Sequence, residues 1–173
     1  MTQACISAIP AEGLHLAFTE DPAELGVTVP GVRFLQPISV DVRLAKAGSA
    51  IMATGQIAVP VAYECMRCLR EAFSSLDIPV DAQFLPTPPA LAAGEHRMPK
   101  EEAEYYYYHD DVVVLDDLVR QEVFLAVPFS PQCRADCRGL CAQCGQDLNV
   151  GTCACAPPPD PRLAVLREYL KKP

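Results

Sequence analysis

The sequence lacks any run of about 18 apolar residues that could span a bilayer. Its first residues, MTQACISAIPAEGLH, have neither the basic n-region nor the sustained apolar h-region of a secretory leader. These two absences predict a cytoplasmic protein. No internal repeat and no glycine-rich stretch that could cradle a phosphate is present, which argues against repeat arrays and nucleotide-binding loops. Histidine is scarce, with three scattered residues and no Ser/His/Asp or Cys/His grouping, so the chain shows no machinery for nucleophilic or acid–base catalysis. Positive charge is also short: the formal net charge is −8. It is uneven, since six Arg/Lys face four Asp/Glu from residue 133 onward and the acidic excess lies before it. Such a chain is a poor general binder of polyanions.

What the sequence does have is cysteine. Six of its nine fall in the window CRADCRGLCAQCGQDLNVGTCAC, residues 133–155. In a reducing compartment thiols stay reduced, so clustered cysteines there bind metal or do redox chemistry more often than they pair as disulfides. Eight form four close pairs: Cys65/Cys68, Cys133/Cys137, Cys141/Cys144 and Cys153/Cys155. Eight thiolates suffice for two tetrahedral four-sulfur sites. Zinc suits such ligands, being redox-inert and closing tight chelates with pairs a few residues apart. An iron–sulfur cluster takes the same ligand number and stays open as a rival. A redox dithiol fits less well, because neither CxxC lies at the strand-to-helix junction of a thioredoxin-like pattern. Cys5 stands alone in an apolar stretch and is expected to be a small buried hydrophobe.

Around these pairs the first half of the chain reads as strands. Residues 51–63 (IMATGQIAVPVAY) put Ile51, Ala53, Ile57, Val59, Val61 and Tyr63 on one parity, and residues 76–84 alternate Leu76, Ile78, Val80, Ala82 and Phe84. Cys65 and Cys68 then sit at the turn joining the two. Earlier strands are expected over 26–33 and 37–44, with Pro30 and Pro37 at edges or turns. Residues 86–104 read as a long loop, and YYYYHDDVVVL as a further strand. Residues 116–127 carry Leu118, Val119, Val123, Ala126 and Val127 at helical spacing behind two acids and before Pro128. A terminal helix is expected from Asp160 as N-cap and Pro161 at N1, with Leu163, Leu166 and Leu170 on one face. His109, Asp110 and Asp111 read as a solvated strand end. Tyr105 to Tyr108 would expose two rings of four beside acidic neighbours, a poor platform for bases.

The CMRCL motif at residues 65–69, followed by CRGLCAQCGQDLN, CAC and DPRLAVL, resembles the YceD-like family, a bacterial and plastid family associated with accumulation of large-subunit ribosomal RNA. Ala142 stands where proline is common in that family, and Leu163 where tryptophan is. The resemblance implies a noncatalytic accessory factor of ribosome biogenesis. A zinc-ribbon adaptor for nucleic acid or a transcription partner is the alternative, and a thiol oxidoreductase a more distant one.

The expected architecture is therefore α+β: an antiparallel sheet with a packed helix over 1–130, including the CMRCL turn, and a cysteine-rich module with terminal helix over 131–173. Two structural zinc ions are expected. Because Cys133 closely follows the helix, Cys65 and Cys68 should join Cys133 and Cys137, leaving Cys141, Cys144, Cys153 and Cys155 as a local second set. The competing pairing joins Cys65 and Cys68 to Cys141 and Cys144. A saturated four-thiolate zinc has no open position for substrate, so no enzyme activity and no small-molecule substrate are expected. The expected partner is a ribosomal protein or assembly factor of the large subunit, met through the acidic stretch 101–117. RNA contact should be weak or indirect, through Arg134, Arg138, Arg162, Arg167, Lys171 and Lys172, and no membrane contact is expected.

Overall fold

A computed structural model describes residues 2–88 and 105–156. The loop expected over 86–104 lies outside them from residue 89, and the terminal helix expected from Asp160 lies wholly outside them. The architecture is α+β, a mostly antiparallel sheet with one helix against it.

Its spine is a long hairpin of β5 (Ala50–Glu64) and β6 (Glu71–Pro86), paired continuously from Ile51↔Phe84 to Glu64↔Glu71. The six residues between those strands, 65–70, hold the CMRCL turn, so the longest ladder among the described residues carries the first cysteine pair at its tip. β4 (Ile38–Ala47) flanks the lower part of β5, from Ser39↔Ala58 to Ala47↔Ala50, across the two-residue turn Gly48-Ser49. Beyond it β3 (Val32–Phe34) pairs with the same edge at residues 61–63, just below the tip. β2 (Leu14–Glu20) closes one side of the sheet against β4, and β7 (Tyr106–Tyr108) lies parallel to β6 on the other. A separate ribbon pairs β1 (Gln3–Cys5) with β8 (Val112–Val114), leading into α1 (Asp116–Ala126).

Alternation dictates which face is buried. Ile38, Val40, Val42 and Leu44 of β4, with Ile51, Ala53, Ile57, Val59 and Val61 of β5 and Ile78, Val80, Ala82 and Phe84 of β6, turn to one side. Leu118, Val119 and Val123 of α1 join that core. Fully burying one such side chain is worth about 1.5–3 kcal/mol, so this half of the molecule has a core of its own. The opposite face carries Ser39, Asp41 and Arg43 of β4 and stays solvated.

Four expectations need correction. The strand expected over 26–33 is a chain of turns until Val32, because Gly26 and Gly31 adopt positive φ and Val27 and Val32 donate their N–H groups to the local carbonyls of Pro22 and Val29. A strand not anticipated, β2, pairs in register from Leu14↔Leu44 to Glu20↔Ile38. YYYYHDDVVVL is two short strands, since Asp110 and Asp111 both take left-handed φ and Val112 N–H reaches His109 carbonyl at 3.0 Å, a tight turn. Cys5 is exposed, because alternation along β1 turns Ala4 inward and Cys5 outward. The tyrosines cover the sheet edge: Tyr106 packs on Phe84 with ring centroids 5.2 Å apart, and Tyr108 hydroxyl donates to Ser49 carbonyl at 2.7 Å. His109, Asp110 and Asp111 are exposed, and the Asp111 carboxylate accepts from Ser7 N–H. Among the described residues no helix is long and apolar enough to cross a membrane.

Candidate metal centres

The hairpin tip and the segment after α1 meet through backbone. Met66 N–H donates to Pro131 carbonyl at 2.9 Å, Leu140 N–H to Arg67 carbonyl at 2.9 Å, and the Arg67 guanidinium to Cys137 carbonyl at 2.8 Å. Gly139 makes this approach possible: at φ +73°, a Cβ there would stand 2.8 Å from the Arg67 carbonyl oxygen.

The approach brings Cys65, Cys68, Cys133 and Cys137 together, all four sulfurs within 4.8 Å of one another. The sulfurs of Cys65 and Cys137 are 3.8 Å apart, and those of Cys68 and Cys133 are 3.7 Å apart. A tetrahedral centre with metal–sulfur bonds of about 2.3 Å has its sulfurs about 3.8 Å apart, whereas a disulfide needs about 2.05 Å. Cys65, Cys68 and Cys137 are buried and Cys133 is exposed. A second set, Cys141, Cys144, Cys153 and Cys155, is gathered within the same limit, with Cys144 and Cys155 exposed. Both tetrads could hold a metal ion. The competing arrangement, with Cys68 beside Cys144, is not seen.

Each tetrad is built on the same turn. In residues 65–70, Cys65 N–H donates to Arg70 carbonyl at 2.9 Å and Leu69 N–H to Cys65 carbonyl at 2.9 Å. In residues 141–146, Cys141 N–H donates to Gln146 carbonyl at 2.8 Å and Gly145 N–H to Cys141 carbonyl at 2.9 Å. The fifth residue is left-handed in both, Leu69 at φ 58° and Gly145 at φ 71°. This fold of the chain turns N–H groups onto the first sulfur, as Gln143 N–H shows at 3.4 Å from Cys141 Sγ.

The electrostatics follow. Burial pushes the Cys65 thiol up, but N–H groups of Cys133, Cys68 and Arg67 outweigh it and bring the thiol down to about 6. Cys133, although exposed as a residue, is pushed up to about 12 by desolvation of its sulfur within the cluster and by the neighbouring sulfurs. In the second tetrad, N–H groups of Cys144 and Gln143 lower Cys141 to about 6, while contact with the Cys144 sulfur and desolvation push Cys155 up to about 12. One thiolate is welcome in each cluster, while Cys133 in the first and Cys155 in the second resist ionising beside it; a cation at the centre would remove that conflict.

Little apolar burial holds this part together. Over residues 128–156 only Cys137 and Gly139 are buried, and the small core here consists of Cys65, Cys68 and Cys137 with Leu140 against them. Polar links add to it: Arg70 pairs with Asp147, and the Asn149 side chain reaches Arg134, Arg138, Asp147 and Cys137. Asn149 was not anticipated as a site residue, although its place at the end of CGQDLN marks it. Of the basic group, Arg134 and Arg138 are exposed here, and Arg162, Arg167, Lys171 and Lys172 lie outside the described residues.

This cysteine framework has a counterpart in known sequences. The family described as large ribosomal RNA subunit accumulation protein YceD matches residues 53–170, from β5 through both tetrads. The chain belongs to the YceD family. Similar proteins include an uncharacterized protein of Mycobacterium leprae, 27% identical over 74% of this chain and 57% of its own length, and uncharacterized proteins of Mycobacterium bovis and Mycobacterium tuberculosis, each 32% identical over 86% of this chain and 70% of theirs. The chain thus spans little more than half the length of the M. leprae relative. No solved structure matches it.

Proposed function

We propose that this YceD-family chain is a noncatalytic, zinc-binding accessory factor of ribosome biogenesis that supports accumulation of large-subunit ribosomal RNA. The observation that carries the reading is the pair of four-sulfur clusters, each with its sulfurs within 4.8 Å of one another, in a chain of this family. Zinc is favoured over iron–sulfur because each set converges on one point at single-ion dimensions and needs no electron traffic. With eight thiolates committed, Cys65, Cys68, Cys133 and Cys137 would hold one ion and Cys141, Cys144, Cys153 and Cys155 the other. Neither ion would keep a position for substrate, which supports a structural role.

The partner we propose is a basic protein of the large subunit or of its assembly machinery. The chain's formal charge of −8 would fall to about −12 with two tetrathiolate zinc sites, a poor match for RNA and a good one for a basic surface. Beside the first tetrad lies an apolar groove of about 580 Å³, lined by Val29, Pro30, Met66, Phe124 and Phe129 among others and bordered by Glu64. Met66 and Phe129 are exposed along it, an arrangement suited to a partner that buries apolar side chains next to basic ones. The test is native capture of the full chain with and without ribonuclease. Ribonuclease-resistant recovery of a basic large-subunit protein, weakened by Phe129→Ser without loss of metal, supports the reading. Tight, sequence-specific binding to purified large-subunit RNA would replace it with the nucleic-acid adaptor, and dithiol turnover with the oxidoreductase.

A further inference from the structure

Asn149 lies in the loop between Cys144 and Cys153, a loop whose ends the second tetrad ties together. Its side chain, however, faces the first. Oδ1 accepts from Arg138 backbone N–H at 2.8 Å and from the Arg134 guanidinium at 3.0 Å, while Nδ2 donates to Asp147 Oδ1 at 2.9 Å and points at Cys137 Sγ at 3.5 Å. The amide orientation is determined by its neighbours: reversed, it would set two N–H donors against the Arg138 N–H and the guanidinium, and an oxygen against the Asp147 carboxylate. All four hydrogen-bonding positions of the side chain are used. Asp147, which also accepts from Asn149 N–H at 2.8 Å, is paired with Arg70 of the first knuckle. One loop therefore reaches both partners of the first centre, the hairpin tip and the segment that carries Cys137.

We propose that Asn149 is a positioning residue coupling the two centres: held in place by the loop that the second tetrad closes, it donates a hydrogen bond to the Cys137 sulfur, so that loading the second centre tightens metal binding at the first. This rests on the reading of both tetrads as metal centres. An N–H donor stabilises a sulfur in its charged, ligating form and orients it, and such outer partners commonly change metal affinity about 10- to 100-fold. The loop has no apolar core of its own, since Leu148, Asn149 and Gly151 are half-buried and Val150 is exposed; its other ties are polar, Leu148 N–H to Gly139 carbonyl at 2.9 Å and the Arg70–Asp147 pair. The coupling is reciprocal, so loading the first centre equally favours the second.

The test is cobalt(II) binding to the full reduced apoprotein, followed by sulfur-to-cobalt charge-transfer absorption in competition with a chelator. Cys153→Ser/Cys155→Ser removes the second centre, and Asn149→Ala removes the donor. Each should weaken the first centre about 10- to 100-fold, and combining them should add little to either, because both break the same link. Losses that add in full, or a first centre indifferent to both changes, would overturn the proposal. Should Asn149→Ala fail to fold, Asn149→Asp keeps an oxygen toward Arg138 N–H while removing the donor to sulfur. It should show the same weakening and a displaced first-centre absorption band, and unchanged affinity with an unmoved band would overturn the proposal. Absence of any sulfur-to-cobalt band in the unmutated chain would instead remove the metal reading itself.

Discussion

The knuckle at residues 65–70 and the knuckle at residues 141–146 share their spacing, their two backbone hydrogen bonds and a left-handed fifth residue. Their surroundings differ. The first crowns a hairpin whose strands pair without a break from Ile51↔Phe84 to Glu64↔Glu71 and whose apolar face is buried, and two of its thiols are sealed from solvent. The second stands on a segment with almost nothing buried, and one of its thiols is half-buried while the other is exposed. The same local turn thus does two jobs. The first cluster joins parts of the chain about 70 residues apart, from Cys65 to Cys137, whereas the second closes a loop within one stretch. Burial of a cluster depends on what carries it, not on its motif.

That contrast can be broken at its strongest point by removing one ligand from each cluster. Cys137→Ser should reduce bound zinc and free residues 128–156 from the hairpin tip, since metal binding contributes on the order of 10 kcal/mol in small finger domains and this segment has no apolar core to replace it. Cys144→Ser should loosen residues 141–156 while leaving the docking of Pro131 and Leu140 in place. Amide exchange resolved along the chain distinguishes the two, and equal loosening by both variants would erase the distinction. In both, the core of β4, β5 and β6 should stay protected.

A smaller effect is expected where the two regions touch. Gly139→Ala puts a Cβ 2.8 Å from the Arg67 carbonyl at a left-handed φ, and should destabilise docking by about 1–3 kcal/mol, read by denaturant unfolding of the metal-loaded chain. An unchanged midpoint would mean that the hairpin tip and the tail do not pack as closely as described.

The smallest effect sharpens the comparison of the turns themselves. Leu69 occupies the position that Gly145 fills in the second knuckle, and its side chain is 58% exposed, so little packing offsets its left-handed backbone. Relief of about 1–2 kcal/mol of backbone cost, less about 0.5–1 kcal/mol for glycine's greater freedom when unfolded, predicts that Leu69→Gly is stabilising by about 0.5–1 kcal/mol. Gly145→Ala should be destabilising by a similar amount.

Much of this was legible in the sequence where one physical signal dominated. Alternation of apolar residues located β5, β6 and the turn between them, and helical spacing before Pro128 located α1, because both elements bury a single face. Elsewhere the signals competed. Leu14, Leu16 and Phe18 alternate as well as any strand, but the pattern is short and ends on Glu20, which is buried beside the Thr2 hydroxyl and so breaks the apolar rule. Residues 26–33 have strand-like composition, yet the two glycines favour turns. Cys5 was misplaced because parity in a three-residue strand cannot be read without its partner. The clustering of the cysteine pairs is a matter of spacing, but the role of Asn149 is not: its partners lie up to 15 residues away in the chain and meet only once the loop is folded.

Every step from the tetrads to function rests on the proposal that each holds one metal ion in a closed four-sulfur shell. X-ray absorption at the zinc edge, together with metal counting on the reduced full chain, tests it most directly. Two zinc ions per chain are expected, each with four sulfur neighbours at about 2.3 Å and no lighter ligand. A single ion, oxygen or nitrogen in the first shell, or iron with bridging sulfide would contradict it.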